Sequence, residues 1–311
     1  MNIVALAGGV GGAKLADGLA QILPAEHLTV IVNTGDDFEH FGLSISPDLD
    51  TVCYTLAGLA NPDTGWGRAD ETWNAQGSLA ALDAPTWFSL GDRDLGTHLE
   101  RTRRLQAGES LSAITADFCR AWAVRARVLP MSDQPVRTMV DTDEGELAFQ
   151  HYFVQRACQP KVKGFRFEGL DQAKPAPGVI EAINAAQLIV ICPSNPWVSV
   201  APILAIGELR AALAGQTIVA VSPIIGGKAV KGPAAKMFAE LGIEPSALAV
   251  AKYYGSLLDG FVLDQQDSGQ ANRVRELGIM PLASATLMQD RADRARLAEE
   301  VLKFGSNLPS T

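Results

Sequence analysis

Cysteine, histidine and clustered basic charge are what this 311-residue sequence has least of. Its four cysteines, Cys53, Cys119, Cys158 and Cys192, lie far apart with no CxxC pair, which excludes a zinc ribbon and a thioredoxin-type redox site and leaves reduced thiols. The four histidines (His27, His40, His98, His151) show no HExxH or similar metal spacing, and only His40, inside an acid-rich stretch, is kept as a candidate. Lys and Arg form no block, and the formal charge is −9, so neither a general nucleic-acid surface nor an anionic-membrane surface is expected. Uninterrupted apolar runs stay well short of the roughly eighteen residues a membrane helix needs. The opening "MNIVALAGG" has no basic segment and only a short apolar run, so the expectation is no secretory leader and a cytoplasmic location. There is no GxSxG elbow and no cysteine beside a basic partner, so covalent catalysis is not the favoured route.

Apolar residues make up 47% and charged residues 20%, the balance of a globular chain. β-branched runs alternate with amphipathic segments: "NIVALA", then "AKLADGLAQIL", then "LTVIVN", then "TVCYTLAGLA". That alternation is the mark of βαβ units, and it predicts an α/β fold with a Rossmann-like, doubly wound, mainly parallel sheet. "LIVICPSN" (188–195) and "TIVAVSPIIGG" (217–227) read as further central strands, apolar throughout because both sheet faces are covered. The middle differs. "TRRLQAGESLSAITADFCRAW" reads as two helices broken near Gly108, and "VRTMVDTDEGELAFQHYFV" as a hairpin turning at "DTDEG". The expected organisation is a core of 1–60 and 176–311 with a mixed, largely helical subdomain, 61–175, inserted and contributing to the site. "DRADRARLAEEVLKF" reads as a terminal amphipathic helix with Ala292, Ala295 and Leu302 on one stripe.

Three loops at strand ends are polar. "LAGGVGGAKLADGL" (6–19) follows the first strand and opens the first helix, where backbone N–H groups and a helix N-terminus hold phosphate. It misses the GxGxxG fingerprint at Lys14 and the P-loop at Ala13 and Leu15, and a tight turn is the ordinary alternative. Lys14 favours an anion site, because a cation in the first helical turn opposes the macrodipole unless an anion sits there. "CPSNPWVS" places Ser194 and Asn195 between two prolines, and "SPIIGGKAVKGPAAK" places Ser222, Gly226, Gly227 and Lys228 after the next strand. Each alone is ordinary turn chemistry; together they match a nucleotide crevice at a topological switch point. The stretch "NTGDDFEHFGLSISPDLD" (33–50) adds Asp36, Asp37, Glu39, Asp48 and Asp50, and "SLGDRDLGTHLERTRRL" adds Asp92, Arg93 and Asp94. Carboxylates beside phosphate-binding loops suit Mg²⁺, although solvated turns and helix N-caps are an even alternative, with Asp48 capping a helix that starts near Leu49. Trp66, Trp73, Trp87 and Trp122 gather in the middle region and offer either a stacking surface for a flat ring or, more commonly, core packing.

At this point the residues resemble a known family, the 2-phospho-L-lactate transferases of coenzyme F420 biosynthesis. The matching segments are "GGVGGAKLADGL", "VNTGDDFEHFGLSISPDLDTVCYTLAG", "LGDRDLGTHLERTRRLQAGESLS", "MSDQPVRTMV", "FQHYFVQR", "CPSNPWVSVAPILAI" and "VSPIIGGKAVKGPAAKM", in order from residue 6 to about 237. The resemblance implies a transferase that moves a phospho-acyl group (phospholactyl, phosphoenolpyruvyl or phosphoglyceryl) from a guanosine-diphosphate-linked donor to the ribityl hydroxyl of the deazaflavin Fo. It implies release of GMP, Mg²⁺ as cofactor, small molecules as the only substrates, and a homodimer. Carried over by position, Asp50 and Arg93, with Asn33 and Thr34, contact the deazaflavin. Gly8, Gly9, Gly11, Gly12, Lys14, Ser194, Asn195, Ser222, Gly226 and Gly227 surround the nucleotide. Asp37 and Asp48 are the metal candidates, while Asp50 orients or deprotonates the hydroxyl and Lys14 neutralises the leaving phosphate. The rival expectation is a non-catalytic nucleotide-sugar-binding regulator, as in the related gluconeogenesis-factor family, which needs the phosphate cradle but neither the acidic pair nor an acceptor pocket.

Overall fold

The runs at 3–7, 28–32, 188–191 and 218–221 form neighbouring strands buried on both faces, which is why they carry no polar alternation. A computed structural model describes residues 1–308. Its strands are β1 (Ile3–Ala7), β2 (Leu28–Val32), β3 (Phe38–His40), β4 (Leu43–Ile45), β5 (Arg127–Pro130), β6 (Arg137–Thr142), β7 (Gly145–Ala148), β8 (Val162–Glu168), β9 (Leu188–Ile191), β10 (Ile218–Val221), β11 (Ile224–Ile225), β12 (Lys228–Ala229), β13 (Gly260–Asp264) and β14 (Met280–Ser284). The helices are α1 (Gly9–Ile22), α2 (Pro47–Ala57), α3 (Asn74–Ala81), α4 (Asp92–Gln106), α5 (Leu111–Ala121), α6 (Val179–Asn184), α7 (Ala201–Ala205), α8 (Gly207–Ala212), α9 (Ala234–Glu240), α10 (Ala247–Tyr254), α11 (Ala271–Arg275) and α12 (Arg291–Ser306).

Seven strands make one parallel sheet in the order β14-β13-β10-β9-β1-β2-β5. From β1 the chain runs outward through β2 to β5, then returns to start the other half at β9. The order therefore reverses between β1 and β9, and the carboxyl ends of these two strands meet at the switch point where open α/β sheets bind their ligands. Side chains alternate across the sheet. Val4, Leu6, Ile31 and Ile189 join the core under α6 to α11, and Ile3, Ala5, Val30 and Val190 join the core under α1, α2, α5 and α12. The doubly wound sheet is thus as the alternation of runs implies.

Three local expectations are corrected. β5 lies inside 61–175 yet pairs with β2 as an edge of the main sheet, so that stretch is not one insertion. Instead α3, α4 and α5 precede β5, and the antiparallel β7-β6-β8 sheet follows it, with the β6–β7 turn at 143–144 inside "DTDEG". The short run "RVLP" carries too little apolar length to stand out as a core strand. On α12 the buried residues are Leu297, Ala298, Val301 and Gly305, because the helix lies across α1; Ala292 is exposed. The strand-like run before Asp92 is an irregular loop that ends where α4 begins. Among the described residues no helix is long and apolar enough to cross a membrane.

Candidate functional site

Chain geometry at the end of β1 sets the site. After Ala7 the backbone turns through Gly8 and Gly9 into α1, and Gly9 has φ +63°, a conformation that favours glycine. The close approach is equally demanding. A Cβ on Gly8 would run into the Asp48 carboxylate, one on Gly11 into the Pro193 carbonyl, and one on Gly12 would lie 2.6 Å from Ser194 Oγ. Ser194 ties the two halves of the sheet together: its hydroxyl donates to Gly8 O (2.8 Å) and accepts from Gly8 N–H (3.2 Å). The glycines thus let the β9 loop pack onto the first turn of α1. Gly9 N–H donates to Asp48 Oδ1 at 2.7 Å, so the anion at this helix N-terminus is a carboxylate of the chain itself. Lys14 turns away, donating to Met288 O at 2.7 Å, and its burial, with Arg294 and Lys231 nearby, lowers its pKa.

Asn33, at the end of β2, is the hub of the acidic stretch. Its Nδ2 donates to Asp48 Oδ2 (2.9 Å) and Val198 O (3.1 Å), with Asp36 Oδ1 at 3.4 Å, and its Oδ1 accepts from Gly35 N–H (2.8 Å). Asp36, Asp37, Asp48 and Asp50 are all buried. Burial pushes Asp48 up to about 6 and Asp37 up to about 7, although Arg137 and the Ser46 hydroxyl pull Asp37 the other way. Burial and the charges of Asp48 and Asp37 raise Asp36 well above the usual carboxylate range. Asp37 Oδ2 accepts from Ser46 Oγ at 2.7 Å, while Asp37 Oδ1 and Thr34 Oγ1 are buried with no hydrogen-bond partner. The expectation that Asp48 caps its own helix is corrected: α2 starts at Pro47 after Ser46, and Asp48 bonds across to α1 and β2.

Asp50 faces α4. Arg101 holds both its oxygens, through Nη1 at 3.0 Å and through Nη2, and Arg101 Nη1 also donates to His98 Nδ1 at 3.2 Å. His98 Nδ1 therefore accepts, which puts the ring proton on Nε2, 3.4 Å from Asp94 Oδ1 but outside hydrogen-bond geometry. Tyr54 donates to Asp94 at 2.6 Å. Burial raises the pKa of Asp50, and the Arg101 guanidinium counters that rise. Arg93, one residue before Asp94, is half exposed, with its Nη1 3.9 Å from Asp70.

The structure thus gathers Gly8, Gly9, Asn33, Asp36, Asp48 and Ser194 at the carboxyl ends of β1, β2 and β9, with Asp37 bonded to Ser46 beside them. The other candidates serve neighbouring roles in the described contacts. Asn195 Oδ1 caps the turn at Pro196–Val200 through Trp197 N–H (3.0 Å), Ser222 Oγ donates to Ile224 O (2.9 Å), and Gly226 N–H donates to Asp267 (2.9 Å). Gly227 stands beside it at φ +74°. Asp92 caps the start of α3, where Asn74 and Ala75 N–H donate to it at 3.0 Å. Sequence reasoning missed Arg101, His98 and Gln150, whose Nε2 donates to Asp36 Oδ2 at 3.2 Å. Only the spacing Asp94, His98, Arg101 on one face of a very polar helix hinted at the first two.

Across residues 3–302 the chain matches the family model described as 2-phospho-L-lactate transferase CofD. The chain belongs to the CofD family. Among CofD relatives it is 46% identical over 316 residues to a phosphoenolpyruvate transferase of Streptomyces griseus, covering 99% of each chain. It is 48% identical over 317 residues to one of Streptomyces avermitilis, with 99% of each chain covered. It is 40% identical over 323 residues to one of Mycolicibacterium smegmatis, covering 95% of this chain and 99% of that one. In fold it is similar to the crystal structure of a UPF0052-family protein of Bacillus halodurans, with a TM-score of 0.62, 17% identity, and 97% and 98% of the two chains covered. As a CofD member the chain is a transferase.

A divalent cation fits part of this donor set. Asp37 presents an unpartnered buried oxygen, and the Asp48 carboxylate, bonded by Gly9 N–H and Asn33 Nδ2, has four lone pairs with which to accept. Among the described residues no three His, Cys, Asp or Glu side chains come together as a ligand cluster. One or two carboxylates completed by phosphate oxygens and water are a common way for Mg²⁺ to be held beside a diphosphate.

Proposed function

We propose that the protein transfers a phosphoenolpyruvyl group from a guanosine-diphosphate-linked donor to the ribityl hydroxyl of the deazaflavin Fo, releasing GMP, in coenzyme F420 biosynthesis. The observation that carries it is the meeting of the glycine turn with buried Asp48 at the β1/β9 switch point, in a chain of the CofD family. The choice of donor rests on relatives named phosphoenolpyruvate transferase at 40–48% identity over nearly their full length.

In this reading the donor diphosphate lies over the first turn of α1, where N–H groups beyond Gly9 have no intrahelical acceptor. Lys14 stands one turn further on, while Ser194, Asn195, Ser222, Gly226 and Gly227 shape the nucleotide walls. Asp37 and Asp48 would hold Mg²⁺, which supplies charge neutralisation on the diphosphate oxygens when bound. The hydroxyl oxygen bonds to the acyl-bearing phosphorus in line as the bond to the GMP phosphate breaks. A loose transition state of this kind asks more for positioning than for a strong base. Asp50 suits that role: held on both oxygens by Arg101, it is a fixed acceptor that orients the hydroxyl and takes its proton as the new bond forms. Arg93 and Thr34 line the acceptor side, and Asn33 acts by holding Asp48.

The test is direct. Protein, Mg²⁺, phosphoenolpyruvyl-diphosphoguanosine and Fo are mixed and GMP is measured, with the phospholactyl and phosphoglyceryl donors in parallel. Fastest release from the first donor is expected. No GMP from any donor, together with tight binding of a UDP-sugar, would favour the non-catalytic regulator instead.

A further inference from the structure

Six rings from three separate stretches of chain close around the hairpin that follows Asp37. Phe88 meets Phe38 edge-on at 4.7 Å, His40 lies 5.1 Å from Trp87 and 4.4 Å from Phe41, and Trp87 lies 4.8 Å from His151. This cluster, built on Phe38, Ile45 and Leu90, is separate from the two cores that cover the main sheet. It borders the acidic crevice at two points: Gln150, next to His151, bonds Asp36, and Ser46, next to Ile45, bonds Asp37. Leu95, two residues from Arg93, packs against it.

Ordinary core packing does not account for the tip. His40 pairs with Leu43, so Phe41 and Gly42 form a two-residue loop, with φ +52° and +71°. Such a loop demands left-handed backbone at both positions, for which Asn-Gly is the favoured pair and a bulky aromatic is an outlier. The Phe41 ring nevertheless sits there 45% exposed. The neighbouring His40 ring, centred 4.4 Å from that of Phe41, has a buried Nε2 with no hydrogen-bond partner. Backbone strain under an exposed ring, beside an unpartnered buried polar atom, is the combination found at ligand clamps.

We propose that Phe41, backed by His40 and Trp87, is a stacking shelf for a flat heteroaromatic ring. The unpartnered His40 Nε2 belongs to the ring packed against Phe41 and leaves a polar atom within the shelf unsatisfied. Resting on the transferase reading above, the ring is that of the deazaflavin acceptor, and the shelf is a determinant of acceptor specificity. Of the four tryptophans singled out in the middle region, only Trp87 belongs to it; Trp122 packs on Tyr54 and Phe118, and Trp66 and Trp73 are exposed.

Phe41→Asn separates the shelf from folding, because it installs the preferred turn pair while removing the ring. The expected result is an equal or higher melting temperature, a KM for Fo raised roughly five- to tenfold, and an unchanged KM for the nucleotide-linked donor. Phe41→Tyr, which keeps a flat ring, should retain the wild-type KM for Fo, and Phe41→Leu should not. Wild-type turnover with the same KM for Fo in Phe41→Asn and Phe41→Leu overturns the shelf and leaves the transferase reading standing. Absence of Fo-dependent GMP release by the wild type overturns that reading, and the shelf with it.

Discussion

Arg101 is a buried charged side chain, and its cost in lost hydration is offset chiefly by the carboxylate it holds. Both Asp50 oxygens are engaged, the guanidinium also reaches Ser44 O at 3.3 Å and His98, and it lies over the Phe118 ring. Replacing such a residue with an apolar one of similar length leaves an uncompensated buried carboxylate, which typically costs about 3–5 kcal/mol. Arg101→Met is therefore expected to shift the urea midpoint strongly downward. Arg101→Lys keeps the charge but loses the two-pronged geometry, so it should fall between the two in stability and still impair turnover. Equal stability of all three proteins in urea titrations would show that the pair is replaceable. The same pair shows why the sequence drew attention to Asp50 and not to its partner: an acid in a loop of acids stands out, whereas an arginine in "ERTRR" resembles any solvated helix face.

At the scale of elements, two helical glycines make opposite predictions from the same chemistry. α1 and α12 cross where Gly18 has no side chain, and a Cβ there would run into the Arg294 carbonyl oxygen, a backbone atom that cannot rotate away. Gly18→Ala must push α12 off the sheet, at a cost of about 1–3 kcal/mol. Gly96 on α4 has nothing within 4 Å of the added carbon and helical backbone. Gly96→Ala should stabilise by roughly 0.5–1 kcal/mol through helix propensity alone. Calorimetric melting temperatures that move in opposite directions would bear this out, and a lower value for Gly96→Ala would contradict the packing described for α4. Elements were readable in proportion to how their burial is achieved. β1, β2, β9 and β10 bury hydrocarbon on both faces and declare themselves as apolar runs. α4 buries Thr97, His98, Arg101 and Thr102, so its buried face is polar and no stripe of apolar side chains marks it. For α12 the period was legible but its phase was not, since the crossing partner α1 decides which stripe is covered.

At the scale of the whole molecule, the crevice joins residues far apart in the chain: Gly8 and Gly9, Asn33, Asp48, Ser194 and Val198. The strand-end loops and the acids were visible in the sequence because turn chemistry and charge are local. Their mutual bonds were not, because which loops meet depends on strand order, and the placement of β5 inside the main sheet shows how little of that order is local. The convergence has a thermodynamic consequence for the fold. Burial holds Asp48 near 6 and Asp37 near 7, both above the usual carboxylate value, so between about pH 4 and pH 7 these two groups bind more protons in the folded chain than in the unfolded one. The stability these groups allow is therefore full below about pH 4 and is lost as pH rises through their folded values. In metal-free buffer the melting temperature should fall from pH 5.5 to pH 8. Mg²⁺ with GDP should restore it at pH 8 far more than at pH 5.5, since a cation favours the ionised pair and ligand bound only by the folded state adds about 2.7 kcal/mol at a hundred times its dissociation constant. Asp48→Asn should flatten the metal-free pH profile and abolish most of the gain from Mg²⁺ and GDP. A wild-type profile that rises steadily from pH 5.5 to pH 8, with no response to Mg²⁺ and GDP at either end, would remove both carboxylates from the nucleotide site.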